Sequence, residues 1–228
     1  MDIELEQYER LYDIQCGGLQ LIQNIHGFRY GTDAVLLSDF VNLKNGERVL
    51  DFCSGSGIIP LLLLSRNKAK EIIGLEIEEE IVVTANKTAA LNGAHDKLKF
   101  ICGDIKDASK ILKSSFDVIT CNPPYSKSGS GMMSESNKIA RARYEVDCTL
   151  DDVVKSAVKV LRYGGRFYLV HKAERLVDII CTCRKYKLEP KEIQFVYTKP
   201  GKRAELVMIC AVLGGGTQIN VLPPIVVE

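Results

Sequence analysis

The sequence predicts an α/β fold, a doubly wound and mostly parallel sheet of seven strands whose last strand runs antiparallel. Three observations carry this. From position 47, short apolar runs alternate with amphipathic helical stretches. A glycine-rich turn joins the first run to the first helix. The last two runs follow each other with no helix between them, so the final strand lacks a crossover and must pair antiparallel.

The elements read in order. Arg48-Val49-Leu50-Asp51-Phe52 is the first strand, rich in branched and aromatic side chains. A helix over Ile58 to Ser65 follows, with Pro60 in its first turn, where a missing N–H is tolerated. Glu71 to Glu76 is the second strand and Glu79 to Asn92 a helix. Lys97 to Cys102 is the third strand, Ile105 to Lys113 a helix, and Phe116 to Cys121 the fourth strand. Beyond a Ser- and Gly-rich interval, Ser126 to Asn137, which reads as a mobile loop, come a helix near Leu150 to Leu161, a strand at Arg166 to His171 and a helix at Glu174 to Tyr186. Glu192 to Thr198 and Ala204 to Leu213 are the closing pair. The opening MDIELEQYERLYDI is acidic and helical in pattern, and the final TQINVLPPIVVE is apolar enough to pack back on the domain.

A chain of 228 residues, 46% hydrophobic, can bury one sizeable core. We expect a single domain over 1–228: an N-terminal segment to 45, a core over 46–213 and a tail over 214–228. The net charge of +1 gives no clue to partners. No run of about 18 apolar residues exists, and the N-terminus is unlike a targeting peptide, so the chain reads as cytoplasmic, with no membrane partner. Of eight cysteines, Cys16, Cys53, Cys102, Cys121, Cys148 and Cys210 stand singly in apolar runs and are expected as free buried thiols. Cys181 and Cys183 form CxC with no second pair, and no metal site is expected. Nothing fixes the oligomeric state, monomer or homodimer.

The most telling residues are Asn122-Pro123-Pro124-Tyr125, which close the fourth strand. Two prolines stop a strand at once, because neither donates to a ladder and both fix φ. The result is a rigid ledge at a strand's carboxyl end, where open α/β sheets bind ligands. The Asn122 side-chain oxygen and the Pro123 carbonyl are acceptors that match the two hydrogens of a planar –NH2 group, and Tyr125 offers a stacking face. Asp51-Phe52-Cys53-Ser54-Gly55-Ser56-Gly57 is a turn able to approach a ligand closely. It departs from G-x-G-x-x-G at Pro60, which argues against NAD. Glu76 ends the second strand, placed to grip ribose hydroxyls, and Gly103-Asp104 follows the third, placed to accept from an adenine amino group. Each acid alone also suits a solvated strand end; the set at successive strand ends points to one site.

This order, DxCxGxG, then Glu76, then Gly103-Asp104, then Asn122-Pro123-Pro124-Tyr125, resembles the class I S-adenosylmethionine-dependent methyltransferases that act on planar amino nitrogens, over nearly the whole chain. The segment Gly27 to Leu37 is similar to the N-terminal F-x-x-x-T-D-A-x-L-L segment of their small-domain members, which folds beside the methionine end of the cofactor; Thr32 and Asp33 are the matching residues, and either also suits a helix cap. Ile139-Ala140-Arg141-Ala142-Arg143-Tyr144-Glu145 and Gly164 to His171 resemble the bacterial family that methylates N6 of the adenosine just 3′ of the anticodon in a valine tRNA. That family's Ala-Arg-His-Glu is Ala-Arg-Tyr-Glu here, departing at Tyr144. The resemblance implies a Rossmann-like core and S-adenosylmethionine bound by Asp51, Cys53, Gly55, Gly57, Glu76, Gly103, Asp104 and Asn122, with Thr32 and Asp33 over it. It implies a tRNA partner and methyl transfer to an amino nitrogen at Asn122, Pro123, Pro124 and Tyr125.

Charge is divided along the chain. Ser126 to Arg203 holds 17 Lys and Arg against 9 Asp and Glu, the remainder 13 against 20. Lys127, Lys138, Arg141, Arg143, Lys172, Arg175, Lys199, Lys202 and Arg203 are candidate phosphate contacts, with the Lys199-Pro200-Gly201-Lys202-Arg203 cluster as the preferred anchor. Other readings stay open: a release-factor glutamine amide, a ribosomal-RNA guanine N2, a DNA adenine, or a fold copy serving only as a binding module.

Overall fold

Hydrogen-bonded pairing of the Val-, Ile- and Leu-rich runs builds one sheet, and the helices cover both of its faces. The computed structural model describes residues 4–27, 29–113, 115–123 and 148–227. The chain opens with β1 (Glu9–Asp13) and β2 (Gln20–Asn24), then α1 (Thr32–Phe40). The core alternates β3 (Arg48–Phe52), α2 (Ile58–Ser65), β4 (Glu71–Glu76), α3 (Glu79–Leu91), β5 (Leu98–Cys102), α4 (Ala108–Ile111) and β6 (Phe116–Cys121). After the undescribed interval come α5 (Leu150–Val160), β7 (Leu161–Lys172), α6 (Leu176–Lys185), β8 (Leu188–Tyr197) and β9 (Leu206–Leu213). Two short strands end the chain, β10 (Asn220–Val221) and β11 (Ile225–Val226).

Strand order across the sheet is β5-β4-β3-β6-β7-β9-β8, with β9 antiparallel to both neighbours and the rest of these seven parallel. The doubly wound fold with its antiparallel last strand is the architecture expected. The tail widens it: β10 and β11 pair with β8 in parallel, so the sheet has nine strands rather than seven. α1, α2 and α3 bury Leu37, Leu61 and Ala85 against Val49, Val118 and Tyr168 on one face. α4, α5 and α6 bury Ala108, Val153, Ala157 and Ile179 against Leu50, Ile119 and Leu169 on the other. Such alternation along each strand is the period-2 consequence of the pleat. Among the described residues no helix is long and apolar enough to cross a membrane.

Three local expectations are corrected. The helical reading of the first fourteen residues gives way to the β1–β2 hairpin, turned by Gly17 and Gly18, both at positive φ. Its stability is non-local: Glu9, 2% exposed, accepts from Thr84 Oγ1 at 2.9 Å and Lys87 Nζ at 3.0 Å on α3, and Ile22 N–H donates to Thr88 Oγ1 at 3.1 Å. The expected helix from Ile105 to Lys113 is a 3₁₀ turn at Ile105–Asp107 and the single turn of α4. Of the cysteines expected to be buried, Cys102 is exposed and Cys16, Cys53 and Cys148 only partly covered; a strand's last residue clears the core that its middle enters.

Candidate active site

The turn after β3 is shaped by left-handed backbone. Cys53 (φ 55°), Gly55 (φ 52°) and Gly57 (φ 82°) all occupy it within five residues. Gly57 caps α2, and a Cβ there would lie 2.4 Å from the Phe100 ring. A Cβ on Gly55 would meet nothing within 4 Å among the described residues. Pro60 occupies the first turn of α2 as expected.

β4 holds the turn from the side. Ser54 N–H donates to Leu75 O at 3.2 Å, and Gly55 N–H to Glu76 Oε2 at 2.8 Å. Glu76 Oε1 accepts from the N–H groups of Ile77 (2.8 Å) and Glu78 (3.2 Å). Gly103 N–H donates to Glu76 O at 2.8 Å, which brings the end of β5 against the end of β4. Asp104 Oδ1 accepts from Lys106 N–H at 2.8 Å, and Oδ2 lies 3.2 Å from Lys106 Nζ.

Beneath the turn, Asp51 is wholly buried. Thr120 Oγ1 donates to its Oδ1 at 2.5 Å, tying β6 to β3. Burial pushes the Asp51 carboxyl up to about 7, with the Thr120 and Ser54 hydroxyls pulling the other way and the charge on Glu76 adding to the rise. Asp51 Oδ2 and Ser54 Oγ are buried beneath the turn, where the Ser54 hydroxyl favours the charged form of the Asp51 carboxyl. Thr120 went unnoticed in the sequence, although a lone Thr in an otherwise apolar run was a signal.

β6 delivers the acceptors. Phe52 pairs with Cys121, so the half-buried Asn122 and buried Pro123 emerge beside the β3 turn. The contact of the Cys53 thiol with that of Cys121, together with burial, holds it well above the usual thiol range, while the contact with Cys148 pulls the other way. A thiol kept protonated is a poor nucleophile. Pro124, Tyr125, Lys127, Lys138, Arg141, Arg143 and Tyr144, with the expected mobile loop, lie outside the described residues. Among the described residues no group of three or more His, Cys, Asp or Glu is placed to hold a metal ion.

α1 lies against α2, β7 and β9, on the same face of the sheet as α2. Gly31, not Thr32 or Asp33, is its N-cap, and it makes no side-chain cap. Asp33 is buried and its Oδ1 accepts from Ala34 N–H at 3.1 Å.

Five basic candidates gather at the same end of the sheet. β8 runs parallel to β7, so the β8–β9 hairpin carrying the exposed Lys199, Lys202 and Arg203 projects beyond the strand ends where Asn122 sits. Ala173 N–H donates to Glu205 O at 3.0 Å, joining this hairpin to the segment with Lys172 and Arg175. Arg175 is paired with Asp178 at 2.6 Å.

Known proteins share this fold. Residues 43–206 match the methyltransferase domain family. A tRNA1(Val) (adenine(37)-N6)-methyltransferase from Porphyromonas gingivalis strain W83 is 30% identical over 76% of this chain and 70% of its own length. One of the same description from Aeromonas hydrophila is 29% identical over 79% and 75%. A predicted O-methyltransferase from Agrobacterium tumefaciens superposes with a TM-score of 0.67 at 19% identity, over 85% of this chain and 86% of that one.

Proposed function

Since this chain belongs to the methyltransferase domain family, and within it groups with the tRNA1(Val) (adenine(37)-N6)-methyltransferases, we propose that it methylates N6 of the adenosine following the anticodon in a valine tRNA, with S-adenosylmethionine as donor. The observation that carries this reading is the placement of Asn122 and Pro123 beside the Asp51–Gly57 turn through the Phe52–Cys121 register.

The residues present suit the cofactor. At Gly55 a Cβ would meet no atom of the described residues within 4 Å, which leaves room for a ligand against backbone, Glu76 would hold the ribose hydroxyls with its carboxylate, and the buried Asp51 and Ser54 lie beneath the turn. In this reading Cys53, Gly57, Gly103 and Asp104 complete the cofactor's wall and Thr32 and Asp33 lie over it. Bound S-adenosylmethionine supplies an electrophilic methyl group on sulfur.

The protein's own part is positioning. The lone pair on N6 is delocalised into the ring, so the amine is a weak nucleophile. Asn122 Oδ1 and the Pro123 carbonyl accept its two hydrogens, fix the nitrogen in line and favour positive charge as it develops. Tyr125 supplies the stacking face for the base. The target adenosine must be unpaired or extruded to reach this ledge. Lys172, Arg175, Lys199, Lys202 and Arg203, with Lys127, Arg141 and Arg143, contact the RNA backbone in this reading.

Incubation with total tRNA and labelled S-adenosylmethionine, followed by nucleoside mass spectrometry, tests it. N6-methyladenosine in valine tRNA is the expected product. Label in N2-methylguanosine, or in none of the nucleosides, would overturn it.

A further inference from the structure

Thr120 and Asp51 meet across two parallel strands. They are partners in the β3–β6 register, and both are wholly buried. Thr120 Oγ1 donates to Asp51 Oδ1 at 2.5 Å. Shape does not ask for a hydroxyl at this place. Val118 and Ile119 fill the same strand without one, and valine has the branched outline of threonine. A hydroxyl set in a core costs stability unless it is bonded, so its partner explains it. That partner is the residue that opens the turn from Asp51 to Gly57.

A buried carboxyl has two states. Protonated, it is neutral and carries a donor of its own; ionised, it accepts hydrogen bonds and attracts cations. Burial favours the neutral state, and so does the charge on Glu76 at the end of β4, whereas the hydroxyls of Thr120 and Ser54 favour the ionised one. From β6 the Cys121 thiol also feels the Asp51 charge. S-adenosylmethionine carries a positive sulfonium and an ammonium group, so the ionised state binds it better. Resting on the reading of the Asp51–Gly57 turn as the cofactor site, we propose that Thr120 is a positioning residue for the cofactor: its hydroxyl holds Asp51 as the carboxylate that the cationic molecule meets. The same bond fastens the strand that ends at Asn122 to the strand beneath the turn.

Calorimetric affinity for S-adenosylmethionine, measured from about pH 6 to about pH 9 on wild type and Thr120→Val, tests this. The ratio of the two affinities at each pH cancels the cofactor's own titration. Losing the hydroxyl raises the Asp51 carboxyl further, so the variant needs a higher pH to reach the ionised state. It should bind roughly 10- to 100-fold more weakly at the acid end, the scale of one hydrogen bond to a charged group, and come within about twofold of wild type at the alkaline end. Thr120→Ser keeps the donor and should follow wild type. Thr120→Cys, a weaker donor, should fall between and stands in for the valine variant if that does not fold. In an Asp51→Asn background the valine change should add no pH-dependent loss. A ratio that stays constant across the range would give Thr120 a packing role alone and overturn the proposal. So would a serine variant that behaves like valine. Asp51→Asn binding the cofactor as wild type does at every pH would take Asp51 out of the cofactor site, and the proposal with it, whereas a pH-dependent loss in Asp51→Asn beside an unmoved Thr120→Val would sink only the role of Thr120.

Discussion

Glu76 Oε2 accepts the backbone N–H of Gly55 at 2.8 Å, so the acid at the end of β4 and the turn after β3 form one unit. Glu76 also accepts two N–H groups through Oε1 and is 4% exposed. Glu76→Ala removes an ionised acceptor from all three and takes away the proposed ribose contact. Calorimetry should show S-adenosylmethionine binding weakened by about 10- to 100-fold, the scale of hydrogen bonds to a charged group. Glu76→Gln, keeping one carbonyl oxygen, should fall between. Unchanged affinity in both would remove Glu76 from the cofactor site.

Asn122→Ala should leave cofactor affinity intact and slow single-turnover methylation by about 10²- to 10³-fold, the loss seen on deleting one oriented polar group. The separation matters: a variant weak in both measurements would point to a disturbed β6 end instead.

Asp51 makes both stability and cofactor binding depend on pH. Its folded carboxyl titrates at about 7 against an ordinary 3.8. Between those values the folded chain holds a proton that the unfolded chain has released, so the Asp51 contribution to stability falls as pH rises from about 4 to about 7. The full span is on the order of 4 kcal/mol. Asp51→Asn should flatten this slope in denaturant titrations run across the window. A cationic cofactor favours the ionised carboxylate, so its uptake near pH 7 should release protons and tighten as pH rises. Calorimetry in buffers of different ionisation enthalpy reads that release; equal heats in all buffers would contradict it.

The glycines of the turn should separate by mechanism. Gly57→Ala drives a Cβ to 2.4 Å from the Phe100 ring at φ 82° and should cost several kcal/mol of stability, about the scale of overpacking plus backbone strain. Gly55→Ala meets no atom of the described residues within 4 Å. It should cost only about 1–2 kcal/mol for its left-handed backbone, with a disproportionate loss of cofactor affinity. Thermal melts with and without S-adenosylmethionine distinguish the two.

Replacing Lys199, Lys202 and Arg203 by Gln should weaken tRNA binding and reduce its salt slope by about 2, on the basis of about 0.7 per phosphate contact with single strands. Cofactor binding should not change. An unaltered slope would take the hairpin out of the RNA interface.

The residues alone made most of the sheet legible, because its signals are local. Val49 and Leu50, Ile72 and Ile73, and Val118 and Ile119 mark strands by composition, and the turn from Cys53 to Gly57 marks the first βα junction by its glycines. The ledge at Asn122 was equally plain, since two prolines end a strand wherever it lies. The N-terminus misled because Glu9 finds Thr84 and Lys87 at sequence separations of 75 and 78, and no local pattern encodes such partners. The single turn of α4 was overcalled for the converse reason: its residues favour a helix, but the chain must reach Phe116 and β6 within a few positions.

Sequence by itself determined the chemistry on offer: paired acceptors at a rigid strand end, acids at successive strand ends, and a turn that only small residues can make. These follow from side-chain type and one-dimensional spacing. Which groups meet was decided only by the tertiary structure. Thr120 reaches Asp51 through the β3–β6 register, and the tail closes over the edge of β8. The physical reason is that strand register is settled by burying both faces of the sheet together, a property of the assembled core and of no single segment.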